Sequence, residues 1–380
     1  TSAYSSFRMY PAGFTFDSAG LALFAANDDP PLNVLGFLNS KVSMALIELL
    51  SPTLNVTPQV LKKMPLVIPE QLKDKAIYQR LVSIAEADWN SKETSCNFVS
   101  LPLLQKSFRR ESLRDTYTAL RQHWRELTAE MKALEEKNNQ LFIDAYGLNA
   151  DLEPAVPDEQ ITLFCNPRYV YGMDKTTEQL ERQLLLDSIK DLISYAVGCM
   201  FGRFSLDRPG LVLANKEGTK EQFLKQIPQP SFAPDDDNVI PILDGDWFID
   251  DIAERFRKFL RTTFGDQSYQ ENLSFIEGCL GKDIRKYFIR DFYTDHVRRY
   301  KKRPIYWLFS SPKGTFNALI YMHRYRPDTV SVVLNDYLRE FRTKLASKKS
   351  HLEALSISAN VSPIEKNKEL KEIESLRKSI

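Results

Sequence analysis

The strongest constraint on the fold is a heptad repeat in the first half of the chain. Leucine recurs at every seventh position from Leu113 to Leu148, and the position four residues after each leucine is apolar or aromatic, except at Asn138. This alternation is typical of a coiled-coil helix, in which a single asparagine in the seam fixes the register. The sequence therefore predicts a long spacer helix within residues 91–149.

The seam of such a helix needs an apolar partner. Apolar residues from Leu334 to Leu355 follow the same spacing of four and three, and a further helix is predicted from Pro363 to Ile380. We expect one or both of these C-terminal spacer helices, in residues 331–380, to pack antiparallel on the heptad helix. Homodimerisation through the same seam is the alternative, and sedimentation at several protein concentrations distinguishes the two arrangements.

Residues 1–90 combine strand and helix patterns. The segment from Phe7 to Phe24 is interrupted by proline and glycine and is predicted to form short strands. After an Asp-Asp-Pro-Pro break, apolar residues recur at helical spacing up to Leu49, and another helix is predicted from about Glu70 to Trp89. These patterns indicate a small α/β unit ahead of the spacer helix.

The segment 150–330 is predicted to be a mixed α/β module whose clearest element is a β-hairpin. Apolar and aromatic residues from Ile305 and from Phe316 flank a turn at Pro312–Gly314, as in two antiparallel strands. A six-residue run with five cations, Arg298–Arg303, precedes the hairpin. Cations at strand ends either neutralise nucleic-acid phosphates or protect an exposed sheet edge from aggregation. The residues assigned to phosphate contact are Arg298, Arg299, Lys301, Lys302, Arg303, Lys313, Arg324 and Arg326.

Composition limits the alternatives. The chain has 51 basic and 50 acidic residues and a net charge of +1, so any basic surface must be local. Its four cysteines show no paired spacing, which disfavours a disulfide framework or a zinc site and favours a reducing cytoplasm. No apolar run approaches the roughly 20 residues of a membrane span, so no membrane contact is expected.

No catalytic or metal-binding constellation is complete in the sequence. Asn166–Tyr169 is close to the Asn-Pro-Pro-Tyr loop with which amino-methyltransferases hold a flipped base, but an arginine replaces the second proline and no glycine-rich cofactor loop is found. The acidic residues from Asp244 to Glu254 are expected to complement a helix dipole rather than to bind a metal ion. The acidic segment Pro234–Asn238 is predicted to be an exposed loop, and His296 to lie on a helix surface.

Three short segments in the first 70 residues resemble, in order, the closing part of target-recognition domains from restriction-modification enzymes. In that family the helix carrying Leu-Asn-Ser-Lys packs beneath the DNA-reading loops, and the proline-bounded strand leads into a long spacer helix. The three segments are GFLNSKV at Gly36–Val42, SPTLN at Ser51–Asn55 and LKKMPLVIP at Leu61–Pro69.

Three longer segments, Val197–Ala214, Asp237–Gly265 and Ile284–Val330, resemble the C-terminal half of the PglX family, the large adenine-specific DNA methyltransferases of BREX phage-defence systems. The resemblance covers most of residues 1–355 and implies N6-adenine methylation of a short asymmetric site with S-adenosylmethionine. In this family, catalysis takes place in an N-terminal Rossmann-like domain whose motifs are not found here. The resemblance therefore implies no catalytic residue and no cofactor in this chain itself, and an enzyme acting alone is not expected.

These observations predict a helix-rich α+β fold. The expected partners are double-stranded DNA, the upstream methyltransferase domain and other BREX subunits. A non-catalytic scaffold that docks other defence subunits through its coiled-coil helices is the alternative function, and salt-dependent binding to duplex DNA distinguishes the two. The predicted segments are a small α/β recognition-domain remnant (1–90), a coiled-coil spacer helix (91–149), a mixed α/β module with the hairpin (150–330) and C-terminal spacer helices (331–380).

Overall fold

The structure is a computed structural model that describes residues 6–11, 13–16, 22–25, 31–51, 56–72 and 75–357, with the single residues 362, 364, 368 and 371. The described residues form a helix-rich α+β fold with one three-stranded antiparallel sheet, which confirms the predicted fold class. The SPTLN motif after its first residue and the predicted helix from Pro363 to Ile380 lie outside the continuously described ranges.

The chain forms two compact units. The first comprises Thr1–Asn90 and Leu120–Leu184, and the second comprises Ser91–Ala119 and Leu185–Ile380. The units cut across the predicted segments, because the heptad helix contributes residues to both.

In chain order the α-helices are α1 (Leu32–Leu38), α2 (Lys41–Leu50), α3 (Pro58–Lys63), α4 (Ala76–Asn90), α5 (Leu113–Tyr146), α6 (Pro167–Tyr171), α7 (Thr177–Met200), α8 (Lys220–Gln226), α9 (Ile252–Phe264), α10 (Tyr269–Leu280), α11 (Ile284–Tyr287), α12 (Tyr293–Arg299), α13 (Thr329–Val332) and α14 (Arg339–Ile357). The strands are β1 (Ile240–Pro241), β2 (Tyr306–Ser310) and β3 (Asn317–Tyr321).

In the first unit, the helix predicted up to Leu49 is divided into α1 and α2. The Ser40 side chain accepts the backbone N–H of Ser43 and so caps a new helix, because a serine hydroxyl satisfies a donor that the first turn leaves without a partner. The axes of the two helices differ by 62°. Within the described ranges, no single helix has the length and apolar character of a membrane span, and only the bent pair of α1 and α2 reaches them together.

The short strands predicted from Phe7 to Phe24 are wrong for the described residues of that segment, which contain no strand. Instead, the backbone of Phe7 pairs with the side chain of Asn39: its N–H donates to Oδ1 at 3.0 Å, and its carbonyl accepts from Nδ2 at 3.1 Å. The Asn39 amide thus binds both backbone groups of Phe7, as a neighbouring strand would, and fixes the extended segment at this residue.

The heptad helix forms as α5, and described residues in its second half pack on other elements of the first unit. Phe142 and Ile143 are fully buried in a cluster with α1 and α2, and Met131 packs in a second cluster with residues of α4 and with Ile161. The apolar residues of α14 pack elsewhere, in a second-unit cluster with residues of β3. The α5 and α14 residues in these clusters therefore pack within their own units, and the predicted pairing with the helix from Pro363 to Ile380 lies outside the continuously described residues.

In the second unit, the predicted hairpin forms as β2 and β3, and β1 pairs with the other edge of β3. One face of the sheet packs against α14, where the ring centroids of Phe316 and Phe341 lie 6.0 Å apart. On the other face, Tyr306 stacks on Phe201 at 5.3 Å. β3 is buried along its whole length, because it is the central strand and both of its faces are covered.

The acidic segment Pro234–Asn238 is not the predicted exposed loop. Asp235 and Asn238 are each 2% exposed. The Asn238 side chain donates to the backbone carbonyl of Tyr321 at 3.0 Å and accepts its N–H at 3.2 Å, while Asp235 forms an ion pair with Arg255. Asn238 points inward because its side chain extends the pairing of β1 with β3 to Tyr321, whereas Asp235 points inward to Arg255 and the backbone N–H of Val239.

Candidate nucleic-acid interface

The basic run lies where α12 ends and the chain turns towards β2. Tyr300 terminates the helix, and the two lysines that follow have left-handed backbone conformations, with φ of 50° at Lys301 and 65° at Lys302. The N–H of Lys302 donates to the carbonyl of Val297 at 2.8 Å, and the N–H of Arg303 donates to that of Tyr300 at 2.9 Å. The turn therefore places the exposed side chains of Lys301, Lys302 and Arg303 in consecutive positions on a hydrogen-bonded backbone.

His296 fixes this turn to the sheet. Its Nε2 accepts the backbone N–H groups of Ile305 and Tyr306, each at 3.1 Å, so the ring proton must lie on Nδ1. The side chain is 2% exposed, so the predicted position on a helix surface is wrong. Burial, assisted by the positive charges of Arg299 and Arg203, lowers the pKa of His296 to about 3. The imidazole is thus a neutral acceptor that anchors the start of β2.

Arg299 was assigned to phosphate contact, and the structure corrects this. Its guanidinium forms an ion pair with Asp191 and lies 3.5 Å from the carboxylate of Glu93. Lys92 contributes a second cation to Asp191 at 3.0 Å. Burial raises the pKa of the Asp191 carboxyl, but the two cations outweigh it and hold that pKa at about 2. Arg299 therefore neutralises internal carboxylates and is not available to DNA.

Arg324 requires the same correction. It is 4% exposed and donates to two backbone carbonyls, those of Phe201 at 3.3 Å and Asp236 at 3.2 Å. Burial lowers the pKa of its guanidinium. A side chain used in this way joins the end of α7 to the loop before β1, and it cannot reach a phosphate.

The other assigned cations are on the surface. The Arg298 side chain is 76% exposed and lies 3.6 Å from Asp295. Arg326 forms an exposed ion pair with Asp328 at 2.8 Å. Lys313 is exposed in the hairpin turn. The Arg326–Asp328 ion pair joins two exposed groups and contributes little, so a phosphate can replace Asp328 at low cost. We use the name basic turn for Arg298, Lys301, Lys302 and Arg303.

No model of a known protein family matches the chain. The chain is 35% identical over 351 residues to the adenine-specific methyltransferase BrxX of Escherichia coli O9:H4 (strain HS), which covers 88% of the chain and 28% of BrxX. It is 34% identical over 395 residues to the adenine-specific methyltransferase PglX of Lacticaseibacillus casei (strain Zhang), which covers 100% of the chain and 31% of PglX.

Over most of its length, the chain is a homologue of PglX and BrxX. The resemblance to the PglX family is thereby confirmed. The chain spans less than a third of the length of either relative.

Asn166 and Pro167, which begin the segment close to the base-binding loop of amino-methyltransferases, lie at the start of α6. The side chain of Asn166 is 3% exposed, and its Nδ2 donates to the carbonyls of Asp158 and Ile161 at 2.7 and 2.8 Å. Its Oδ1 accepts the N–H of Arg168 as the cap of α6. Both ends of the amide are thus used in folding the loop, and neither is presented to a base.

The acidic segment before α9 also has a structural role. Asp251 is fully buried and accepts the N–H groups of Ala253 and Glu254 with one oxygen, each at 3.0 Å. Its other oxygen forms an ion pair with Arg285, which also binds Asp246. Among the residues that the structure describes, no group of three or more His, Cys, Asp or Glu side chains could hold a metal ion.

The Leu-Asn-Ser-Lys motif of this PglX homologue forms a joint in the first unit. Asn39 holds Phe7, Ser40 caps α2, and the backbone N–H of Lys41 donates to Asn139 of α5 at 3.0 Å. Asn39, Ser40 and Lys41 therefore each make a contact within the first unit, which gives the motif a structural role.

Sequence reasoning missed the residues that hold the basic turn in place. Glu93 and Asp191 lie far from the turn in sequence, and Glu93 is itself fixed by the hydroxyl of Ser194 at 2.7 Å. Only the tertiary fold brings these groups to Arg299. The burial of Arg299 did have a sequence signal, because Phe288, Phe292, His296 and Arg299 follow the spacing of one helix face.

Proposed function

We propose that this chain is the DNA-binding and target-recognition portion of a site-specific N6-adenine DNA methyltransferase of a BREX phage-defence system. The methyl transfer itself would take place in a catalytic domain outside this chain, which would also hold S-adenosylmethionine. Support comes from the homology with adenine-specific methyltransferases, whose substrate is DNA. We place the protein in the cytoplasm, with the upstream methyltransferase domain and other BREX subunits as its further partners.

The observation that carries this proposal is the construction of the basic turn. The chain has a net charge of only +1, yet four exposed cations lie in this one turn. The turn is held in place by the hydrogen bond from the Tyr306 N–H to His296 and by the ion pair of Arg299 with Asp191. A fixed group of cations loses little conformational freedom when it meets a phosphate backbone, and each neutralised phosphate releases counterions. Binding through this surface is therefore expected to weaken steeply with salt.

The test measures the affinity of the chain for random duplex DNA at several salt concentrations. We expect the variant with Lys301→Ala, Lys302→Ala and Arg303→Ala to reduce the slope of log affinity against log salt by about three, roughly one for each phosphate contact. The matched control replaces Lys216 and Lys225, two exposed lysines of the second unit outside the basic turn, and should keep the original slope. An unchanged slope in the triple variant would remove the basic turn from the interface.

A second experiment concerns the missing catalytic part. Methylation of adenine in duplex DNA is assayed with this chain alone and with the upstream methyltransferase domain restored, in the presence of S-adenosylmethionine. We expect methyl transfer with the restored protein, and we expect the triple variant to reduce it at moderate salt. Transfer by the chain alone would contradict the proposal.

The alternative, a scaffold that docks partners through coiled-coil helices, has less support. Its docking surface would be the heptad seam, and Met131 and Asn138 of that seam are buried within the first unit. The same DNA titration decides between the two functions, because a scaffold of this kind would show no salt-dependent affinity for duplex DNA at any salt concentration.

A further inference from the structure

An aromatic pair includes a residue of β2, the strand that follows the basic turn in the chain. Trp307 belongs to β2, the edge strand of the sheet, and its side chain is 41% exposed. Its ring centroid lies 5.9 Å from that of Tyr325, with the ring planes at 53°. Tyr325 packs against the apolar cluster between β3 and α14. The tryptophan therefore rests on a fixed neighbour while a large part of its own surface stays in solvent.

The sheet does not need the exposed part of Trp307 for its core. Phe309, the next residue on the same face of β2, packs in the cluster with α14, together with Ile320 of β3. A tryptophan left outside this cluster exposes apolar surface, which is unfavourable unless a ligand covers it.

Exposed cations are close to both aromatic residues in the chain. Arg303 of the basic turn precedes Trp307 by four residues, and Arg326 follows Tyr325 directly. The ion pair of Arg326 with Asp328 joins two side chains that are 53% and 56% exposed, so it competes weakly with a phosphate. Cations alternating with an exposed aromatic ring are the arrangement with which proteins hold unpaired bases and their backbone.

We propose that Trp307, supported by Tyr325, is a stacking platform for an unpaired base of the DNA substrate, with the adjacent phosphates held by Arg303 and Arg326. This inference rests on the proposed function, because it assigns a ligand to the same surface. Methylation of adenine requires the target base to leave the helix stack, so the substrate of such an enzyme contains at least one opened base step. A tryptophan face binds any base, because every base presents a flat π surface.

The test compares the affinity of the 380-residue chain for a fully paired duplex and for the same duplex with one abasic site, which leaves the opposite base unpaired. The chain should bind the abasic duplex at least about fivefold more tightly, as expected for one stacked base. Trp307→Ala should abolish this preference while the affinity for the paired duplex and its salt slope stay unchanged. Trp307→Phe, which keeps an aromatic face, should retain most of the preference.

The matched control is Trp89→Ala, which removes the 59% exposed tryptophan at the end of α4 and should change neither affinity. Equal affinities of the unaltered chain for the two duplexes would overturn the platform and leave the proposed DNA-binding function intact. Loss of the preference in the Trp89 variant as well would also overturn it. If the unaltered chain binds neither duplex at any salt concentration, the proposed function fails and the platform fails with it.

Discussion

The Nε2 atom of His296 accepts the backbone N–H of Tyr306 at 3.1 Å. This bond joins the last helical turn before the basic turn to the first residue of β2, so the positions of the exposed cations depend on the protonation state of one buried ring. The ring is 2% exposed and packs against Tyr306 with a centroid distance of 4.7 Å. A protonated imidazole would have no lone pair for either backbone donor.

The first prediction follows from the lowered pKa of His296, which is about 3 in the folded chain and 6.5 for an ordinary histidine. Above pH 6.5 neither the folded nor the unfolded state binds the proton, and the contribution of the neutral ring to stability is complete. As the pH falls from 6.5 towards 3, only the unfolded state binds it, and the free energy of unfolding decreases by about 1.4 kcal/mol per pH unit. Urea unfolding at pH 7, 6 and 5 measures this slope.

The control for this prediction is His296→Gln, whose amide oxygen can accept the same donors without titrating. The decrease in the free energy of unfolding between pH 7 and 5 should be smaller in the variant by about 2 kcal/mol, because only the part of this range below pH 6.5 contributes. His323, whose pKa is also lowered by burial, is present in both proteins, and Asp191 titrates near pH 2, below the measured window. Equal slopes in the two proteins would show that His296 is not a neutral acceptor.

A second prediction separates the neighbouring residues Arg298 and Arg299. Arg299→Ala removes the ion pair with Glu93 and leaves Asp191 paired with Lys92. It should reduce the free energy of unfolding by about 3–5 kcal/mol, as expected when one partner of a buried ion pair is removed. Arg298→Ala removes an exposed side chain and should change stability by less than about 0.5 kcal/mol. Urea unfolding of both variants provides the comparison.

The two variants should have the opposite order of effect on DNA. Arg298→Ala should lower the salt slope of duplex binding by about one. Arg299→Ala should leave that slope unchanged under conditions where the variant is folded. If Arg299→Ala lowered the salt slope of duplex binding without loss of stability, Arg299 would have to be counted among the phosphate contacts.

Residues that depend on local periodicity could be predicted from the sequence. The hairpin formed as predicted because the alternation of apolar residues and a glycine-containing turn specify it within 20 residues. The heptad helix also formed, but a periodic seam states only that a partner exists and not which one. The residues that α5 packs against, such as Ile161 and those of α1, have no relation to the heptad that a single sequence reveals.

The candidate site shows the same limit. The exposed cations of the basic turn could be predicted because cations are usually solvated. The sequence could not show that Arg324 is buried while those cations are exposed. Its partners are the backbone carbonyls of Phe201 and Asp236, and every residue type has a backbone carbonyl. The bonds between Asn39 and Phe7 also depend on tertiary structure, since side-chain amides form such pairs without a sequence pattern.

A third prediction concerns the left-handed backbone of the basic turn. Lys302 has φ of 65°, a conformation in which glycine is not strained and lysine is. Lys302→Gly should therefore raise the free energy of unfolding by up to about 1 kcal/mol and at the same time lower the salt slope of DNA binding by about one. Lys302→Ala, which removes the charge and keeps the strain, should lower the slope equally without raising stability. If Lys302→Gly were no more stable than Lys302→Ala, the backbone at this position would not be strained.

The last prediction concerns Gly36, where α1 meets α4 and α5. A Cβ atom at this position would lie 2.0 Å from the ring of Tyr78, which is 2% exposed, and the Gly36 carbonyl accepts a hydrogen bond from Asn138 of α5 at 3.0 Å. Gly36→Ala should therefore force α1 and α4 apart and lower the free energy of unfolding by about 3 kcal/mol. Gly278→Ala, within α10, meets no atom within 4 Å and should instead raise stability by about 0.5–1 kcal/mol, because alanine is the better helix former. Urea unfolding of both variants tests the difference, and a similar change in both would show that the Gly36 site is not closely packed.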